Sequence, residues 1–315
     1  MKQGIINMMM KRRTFIQNAA TVAAMAGISN IASGNNLAGG KSSNSAKFNL
    51  KYAPEIGSFP ELAGKDPVEV IKFCADQGFR AMYENGFSAR PIAEQDRIVE
   101  ELTRHNMDMG PFTIYADFGK ESMVLKDRDI LEMLIKKVIE GVELFRRTGF
   151  KHALIVPGRY NENMAWDYQT ANVIDNMREL SEIAEKGGLM IVLEPLNKRD
   201  HPGLFLSGIP QAYAICRAVN SPACKIINDI YHQQITEGNI IPNIDAAWSE
   251  IKAFHLGDNP GRNEPGTGEI NFRSIFKHLS EKRYDGVLCM EHGRSIKGKA
   301  GEFALIEAYR IADNF

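Results

Sequence analysis

From residue 47 to the end, the chain alternates between two hydrophobic periods. Apolar runs of strand length fall at residues 49–56, 79–84, 107–115, 152–157, 189–196, 224–232, 251–258 and 284–292, and each reads as a β-strand. Between them, at 91–106, 128–148, 168–186, 210–219, 272–281 and 301–312, the pattern is helical. Asp66-Pro67-Val68-Glu69 opens one more helix, with Asp as the cap, Pro in the first turn and Glu completing a capping box. The connection over 236–249 reads as short or irregular. Eight alternating units predict a single α/β domain, a (β/α)8 TIM barrel over residues 47–315. A doubly wound dinucleotide fold is disfavoured. Gly257-x-x-x-Gly261 and Gly266-x-Gly268 do not make a G-x-G-x-x-G after a first strand, and no P-loop appears.

In such barrels chemistry gathers at the C-terminal ends of the strands. The last four runs carry Glu194, Asp229, His255 and Glu291 there, one per strand. A carboxylate at the end of a buried strand calls for a cation or a reaction, and strands delivering one ligand each would converge on one divalent metal. Taken singly, three of them have a plainer reading: Glu194 as a salt-bridge partner of Lys198 or Arg199, Asp229 with His232 as an isolated pair, and His255 as a core histidine. Convergence is what makes them a set. Three carboxylates with one imidazole suit Mn²⁺ or Mg²⁺ better than structural zinc. Glu84 and Tyr115 end the second and third runs, where they either line the pocket or serve the fold. His201-Pro202-Gly203 reads as a loop over the pocket with a solvated histidine, and Trp166 and Trp248 give no functional signal.

Charge and composition narrow the partners. Residues 1–46 carry Lys2, Lys11, Arg12, Arg13 and Lys41 and no acid, so removing those five from the net charge of −1 leaves a body at −6. That disfavours a nucleic-acid binder, and it disfavours an anionic membrane surface. Lys11-Arg12-Arg13-Thr14-Phe15-Ile16 resembles a twin-arginine export signal, followed by an Ala-rich stretch at 19–31 and a Gly/Asn/Ser/Lys spacer at 33–46. The 19–31 stretch is shorter than the ~20 residues a bilayer requires. The resemblance implies transport by the twin-arginine machinery and a periplasmic location, with no stable membrane anchor. The four cysteines form no C-x-x-C and lie in apolar segments, as small buried hydrophobes. Whether the chain forms a homo-oligomer is left open.

Three motifs resemble the hydroxypyruvate isomerase group of the xylose-isomerase-like sugar isomerase and epimerase barrels. They are Glu194-Pro195-Leu196-Asn197-Lys198-Arg199-Asp200, Asp229-Ile230-Tyr231-His232-Gln233-Gln234, and the long run from His255 through Asp258-Asn259-Pro260-Gly261-Arg262 to Asn271. The resemblance implies that Glu194, Asp229, His255 and Glu291 are the metal ligands and that both glutamates double as acid/base groups. It also implies that His232 and Arg262 bind substrate oxygens; the plainer reading of Arg262 is a loop ion pair with Glu264. Several hydroxypyruvate isomerases have Gln where this chain has His255, whereas ketose 3-epimerases have His. The implied chemistry is proton transfer next to a carbonyl through an enediolate, on a small hydroxycarbonyl compound such as hydroxypyruvate or tartronate semialdehyde. The alternatives are a ketose 3-epimerase or keto-sugar dehydratase/lyase using the same enolisation, and a non-catalytic periplasmic sugar-binding barrel. A binder has no use for a second glutamate.

Overall fold

The computed structural model describes residues 46–315, so the expected export signal and its spacer lie outside the described residues. In chain order the elements are β1 (Lys51–Ala53), α1 (Pro67–Asp76), β2 (Ala81–Met82), α2 (Ile92–His105), β3 (Asp108–Met109), β4 (Phe112–Ala116), α3 (Arg128–Thr148), β5 (His152–Val156), α4 (Trp166–Gly187), β6 (Met190–Leu193), α5 (Ile209–Val219), β7 (Cys224–Asp229), α6 (Ile230–Thr236), α7 (Ile240–Ala247), β8 (Ile251–His255), α8 (Phe272–Glu281), β9 (Val287–Cys289) and α9 (Gly298–Ala312). Strands β4 to β9 pair in sequence order, β9 pairs with β1, β2 pairs with β3, and every pairing is parallel. Backbone hydrogen bonds close the ring. Tyr83 N donates to Pro54 O (3.0 Å) and Gly110 N to Met82 O (2.8 Å), while Thr113 N reaches Asn85 O (2.9 Å). The result is the expected (β/α)8 barrel.

Four local expectations need correction. The run at 107–115 is two strands, because Gly110-Pro111 interrupts it: Pro111 has no N–H for the ladder. Gly110 also lies so deep that a Cβ there would stand 2.7 Å from Cys289 Sγ and from Tyr83 Cβ. The run at 224–232 stops as a strand at Asp229, whose side chain accepts from His232 N (3.1 Å) and so caps α6. The connection expected to be irregular holds α7. At α1 only half of the capping box forms. Asp66 accepts from Val68 N (3.0 Å), but Glu69 pairs with Lys72 (2.8 Å) instead of returning to the cap.

Packing divides by the two faces of the strands. Outward residues such as Ile191, Leu193, Ile226 and Phe254 join the layer beneath the helices, whereas Leu154, Val156, Val192, Ile227 and Ala253 form one interior cluster and Ala53, Ala81, Tyr83, Val287 and Cys289 another. Removing a filled ring such as Phe254 from this core costs about 3–5 kcal/mol. The last helix is tied to the first strand through Asp313, which accepts from Tyr52 Oη (2.9 Å) and Asn49 N (2.7 Å). No helix among the described residues is long and apolar enough to cross a membrane.

Candidate metal centre

Side chains alternate along a strand, so residues two apart share a face. Val192, Ile227, Ala253 and Cys289 point into the barrel. Glu194, Asp229, His255 and Glu291 each stand two residues further on, at the C-terminal rim. That register makes the four converge: one ligand atom from each lies within 4.8 Å of the others. His255 Nδ1 stands 2.7 Å from Glu194 Oε1 and 3.0 Å from Glu291 Oε2. Arg262 Nη2 stands 2.9 Å from Asp229 Oδ2 and 2.6 Å from Glu291 Oε2.

These contacts leave negative charge uncompensated. Three carboxylates meet one guanidinium and one imidazole nitrogen, and that nitrogen can offer its single proton to only one of its two glutamate neighbours. Glu194, Asp229 and His255 are almost wholly buried, where unpaired charge is expensive. Burial, together with Glu291 and Asp229, pushes the Glu194 carboxyl above its usual range against the pull of His255. Burial also opposes ionisation of Glu291, yet His255, Arg262 and the Asn85 amide hold it below that range. The donor set, three hard oxygens and one nitrogen with negative charge in excess, therefore fits a divalent cation.

Arg262 is delivered by a loop built on one buried carboxylate. Asp258 accepts from Asn259 N, Gly266 N, Gly268 N and Ile270 N at 2.8–3.0 Å, so the loop folds around it. A Cβ at Gly268 would stand 2.3 Å from Asn259 O, which admits only glycine there. Arg262 itself takes a left-handed backbone (φ 48°), a conformation kept by non-glycine residues where the surroundings impose it. Its guanidinium lies 5.0 Å from the centre of the Tyr231 ring. It does not pair with Glu264, which accepts from Ser295 N instead.

Of the other candidate residues, His232 is in the site: it is buried, and its Nε2 lies 3.5 Å from Asp229 Oδ2. Glu84 is not among the four converging residues and is engaged by Arg90 Nε at 2.7 Å. Tyr115 has Ser122 as its polar neighbour. Glu194 forms no ion pair with Lys198 or Arg199; Lys198 lies over the Trp166 ring at 5.3 Å. His201 is not simply solvated. It is half-buried, stacks on Phe118 (5.2 Å) and meets the His232 ring edge-on (5.3 Å). Sequence reading missed Asn85, whose Nδ2 donates to Glu291 Oε1 at 2.6 Å, and Asn197, which holds His232. Asn85 shares the inward face of Tyr83 and Ala81, a period-2 signal that could have marked it. All four cysteines are buried thiols, as expected.

A parallel barrel with a carboxylate–imidazole cluster at its C-terminal rim defines a class of α/β barrel with a metal-type site. The chain belongs to the xylose isomerase-like TIM barrel family, whose model matches residues 71–310. It is 30% identical over 164 residues to hydroxypyruvate isomerase of Escherichia coli K12, covering 52% of this chain and 64% of that one. It is 31% identical over 122 residues to 2-oxo-tetronate isomerase of Cupriavidus necator, covering 39% and 47%. The chain thus spans between about half and two thirds of these relatives. The fold matches that of 3-keto-D-glucoside 4-epimerase from E. coli with a TM-score of 0.70 at 17% identity, over 84% of this chain and 100% of the other.

Proposed function

We propose that the chain is a divalent-metal-dependent isomerase that interconverts a small hydroxycarbonyl compound, of the hydroxypyruvate or tartronate semialdehyde kind, by moving a proton between adjacent carbons. The observation that carries this reading is the placement of two glutamates, Glu194 and Glu291, about one imidazole nitrogen at 2.7 and 3.0 Å. Glu194, Asp229, His255 and Glu291 would hold Mn²⁺ or Mg²⁺, which when bound stabilises charge developing on a carbonyl oxygen and its neighbour by several kcal/mol. One glutamate takes the proton from carbon, and the other returns one to the adjacent carbon. Each such transfer contributes roughly 10²–10⁴-fold. Arg262, fixed by its loop and by Tyr231, supplies positive charge to a substrate oxygen. The names of the two sequence relatives support isomerisation.

A second reading is epimerisation or elimination on a keto-sugar through the same enolisation. His255, where several hydroxypyruvate isomerases have Gln, favours it. Incubating the Mn²⁺-loaded protein in D₂O with hydroxypyruvate, ketoses and 3-keto-sugars, and reading deuterium uptake by mass spectrometry, separates the two by which compound exchanges. No exchange with any of them would sink both and leave a binding protein.

We also propose export by the twin-arginine route, which rests on Lys11-Arg12-Arg13-Thr14-Phe15-Ile16. Arg12→Lys with Arg13→Lys should hold the chain in the cytoplasm at full length. Export of that variant would point to another route.

A further inference from the structure

Two buried imidazole nitrogens of the site have nothing to bond, His255 Nε2 and His232 Nε2, and the second is the one whose tautomer its neighbours decide. His232 is 1% exposed, and its Nε2 has no hydrogen-bond partner. A nearby carboxylate oxygen, Asp229 Oδ2, stands off at 3.5 Å. Whether that nitrogen donates or accepts depends on the tautomer, and the tautomer is decided by whatever faces the other nitrogen.

What faces it is Asn197, wholly buried four residues after the end of β6. Asn197 Oδ1 accepts from two backbone donors, Arg199 N at 3.0 Å and Asp200 N at 2.9 Å. A flipped amide would set its own N–H groups against those donors, so the orientation has one solution. The amide nitrogen must then face the other way, where it has one acceptor for each of its protons: Asp200 Oδ2 at 3.0 Å and His232 Nδ1 at 2.6 Å. The Asn197 backbone N–H points at the same Nδ1, at 3.4 Å. Two donors aimed at one ring nitrogen leave no room for a proton on it.

We infer that Asn197 is a positioning residue that locks His232 in the Nε2–H tautomer, so that the site presents one fixed, neutral N–H donor beside the acidic cluster. The chemical consequence concerns the substrate. The group that meets His232 is an acceptor oxygen, a carbonyl or the oxyanion it becomes, and not a hydroxyl that needs its proton accepted. The geometric part stands on this chain alone; the catalytic part rests on the isomerase reading.

The test reads the ring directly. In the full chain with ¹⁵N-labelled histidine, two-bond ¹⁵N–¹H correlations report which nitrogen of each imidazole carries a proton, and His232 is assigned by its loss in His232→Gln. The expected result is a bare Nδ1 and a protonated Nε2. A proton on Nδ1, alone or with one on Nε2, would overturn the inference, and that measurement needs no variant of Asn197. Asn197→Asp keeps the Oδ1 turn but replaces the amide donor with an acceptor, so a proton should move onto Nδ1. An unchanged ring in that variant would also overturn it. Under the isomerase reading the same variant should lose about 10²-fold in kcat with little change in KM, the size of losing one donor to a developing oxyanion. An inverted ring with undiminished kcat would reduce Asn197 to a structural residue. A locked ring in a protein that exchanges no substrate proton would sink the isomerase reading and leave the lock standing.

Discussion

At the N-terminal ends of the strands, Lys51 lies 2.8 Å from both Asp108 and Asp285, and Lys225 lies 2.5 Å from Glu250. At the C-terminal ends, Glu194, Asp229 and Glu291 share one guanidinium and one imidazole. The first rim brings opposite charges together, and the second crowds like charges. Charge that is costly to bury and left uncompensated has to be held in place by the rest of the fold. Here it is held by the barrel register, the Asp258 loop and the Asn197 turn. The two rims divide stability from chemistry.

That division predicts different failures for equivalent changes, beginning with the largest. Glu194→Gln or Glu291→Gln keeps an oxygen at the cluster but removes a base, so turnover should drop by about 10²-fold or more while the fold survives. Isotope exchange should show which glutamate serves which carbon: one variant loses exchange from the substrate in the forward direction, the other in reverse. Equal, small losses in both variants would break the contrast between rims.

At the opposite rim, Lys225→Met should cost about 2 kcal/mol of stability, since it leaves the nearly buried Glu250 carboxylate with only Arg217 at 3.6 Å and the Ser249 hydroxyl at 3.1 Å as partners. Chemical denaturation measures the loss, and turnover at a temperature where the variant is folded should be unchanged.

The smallest effect concerns His152, half-buried at the start of β5. Burial, with Lys151 and Lys252, holds its pKa down at about 4 against an ordinary 6.5. The unfolded chain therefore takes up the proton first. This contribution is fully present above pH 6.5 and is lost as the pH falls towards 4; water reaching the part-exposed ring reduces the roughly 3 kcal/mol of the full shift to about 1–2 kcal/mol. His152→Gln should flatten unfolding free energy over that window. An unchanged slope would remove His152 from the account.

The contrast also shows what sequence could reveal. The four residues of the cluster were legible because each closes an apolar run, and period-2 alternation carries them inward. The break at Gly110-Pro111 was legible in principle from the proline. Asp229 turning directly into α6 was harder to see, because a residue at the end of a strand can also be a helix cap, and only the backbone distinguishes the two. Asn85 and Asn197 act through orientation. An amide's partners are set by which way it faces, and no spacing along the chain records that. Glu84 shows the converse. A rim position is visible in sequence, but its engagement by Arg90 at 2.7 Å depends on the path of the following turn.

The claim that the C-terminal rim is built for a cation is tested most directly by measuring Mn²⁺ in the protein after equilibrium dialysis, for the native chain and for Asp229→Ala and His255→Ala. One Mn²⁺ per native chain is expected, displaceable by excess Mg²⁺, with loss of most of that affinity in both variants. A native chain that takes up no stoichiometric metal, or variants that retain full occupancy, would contradict it.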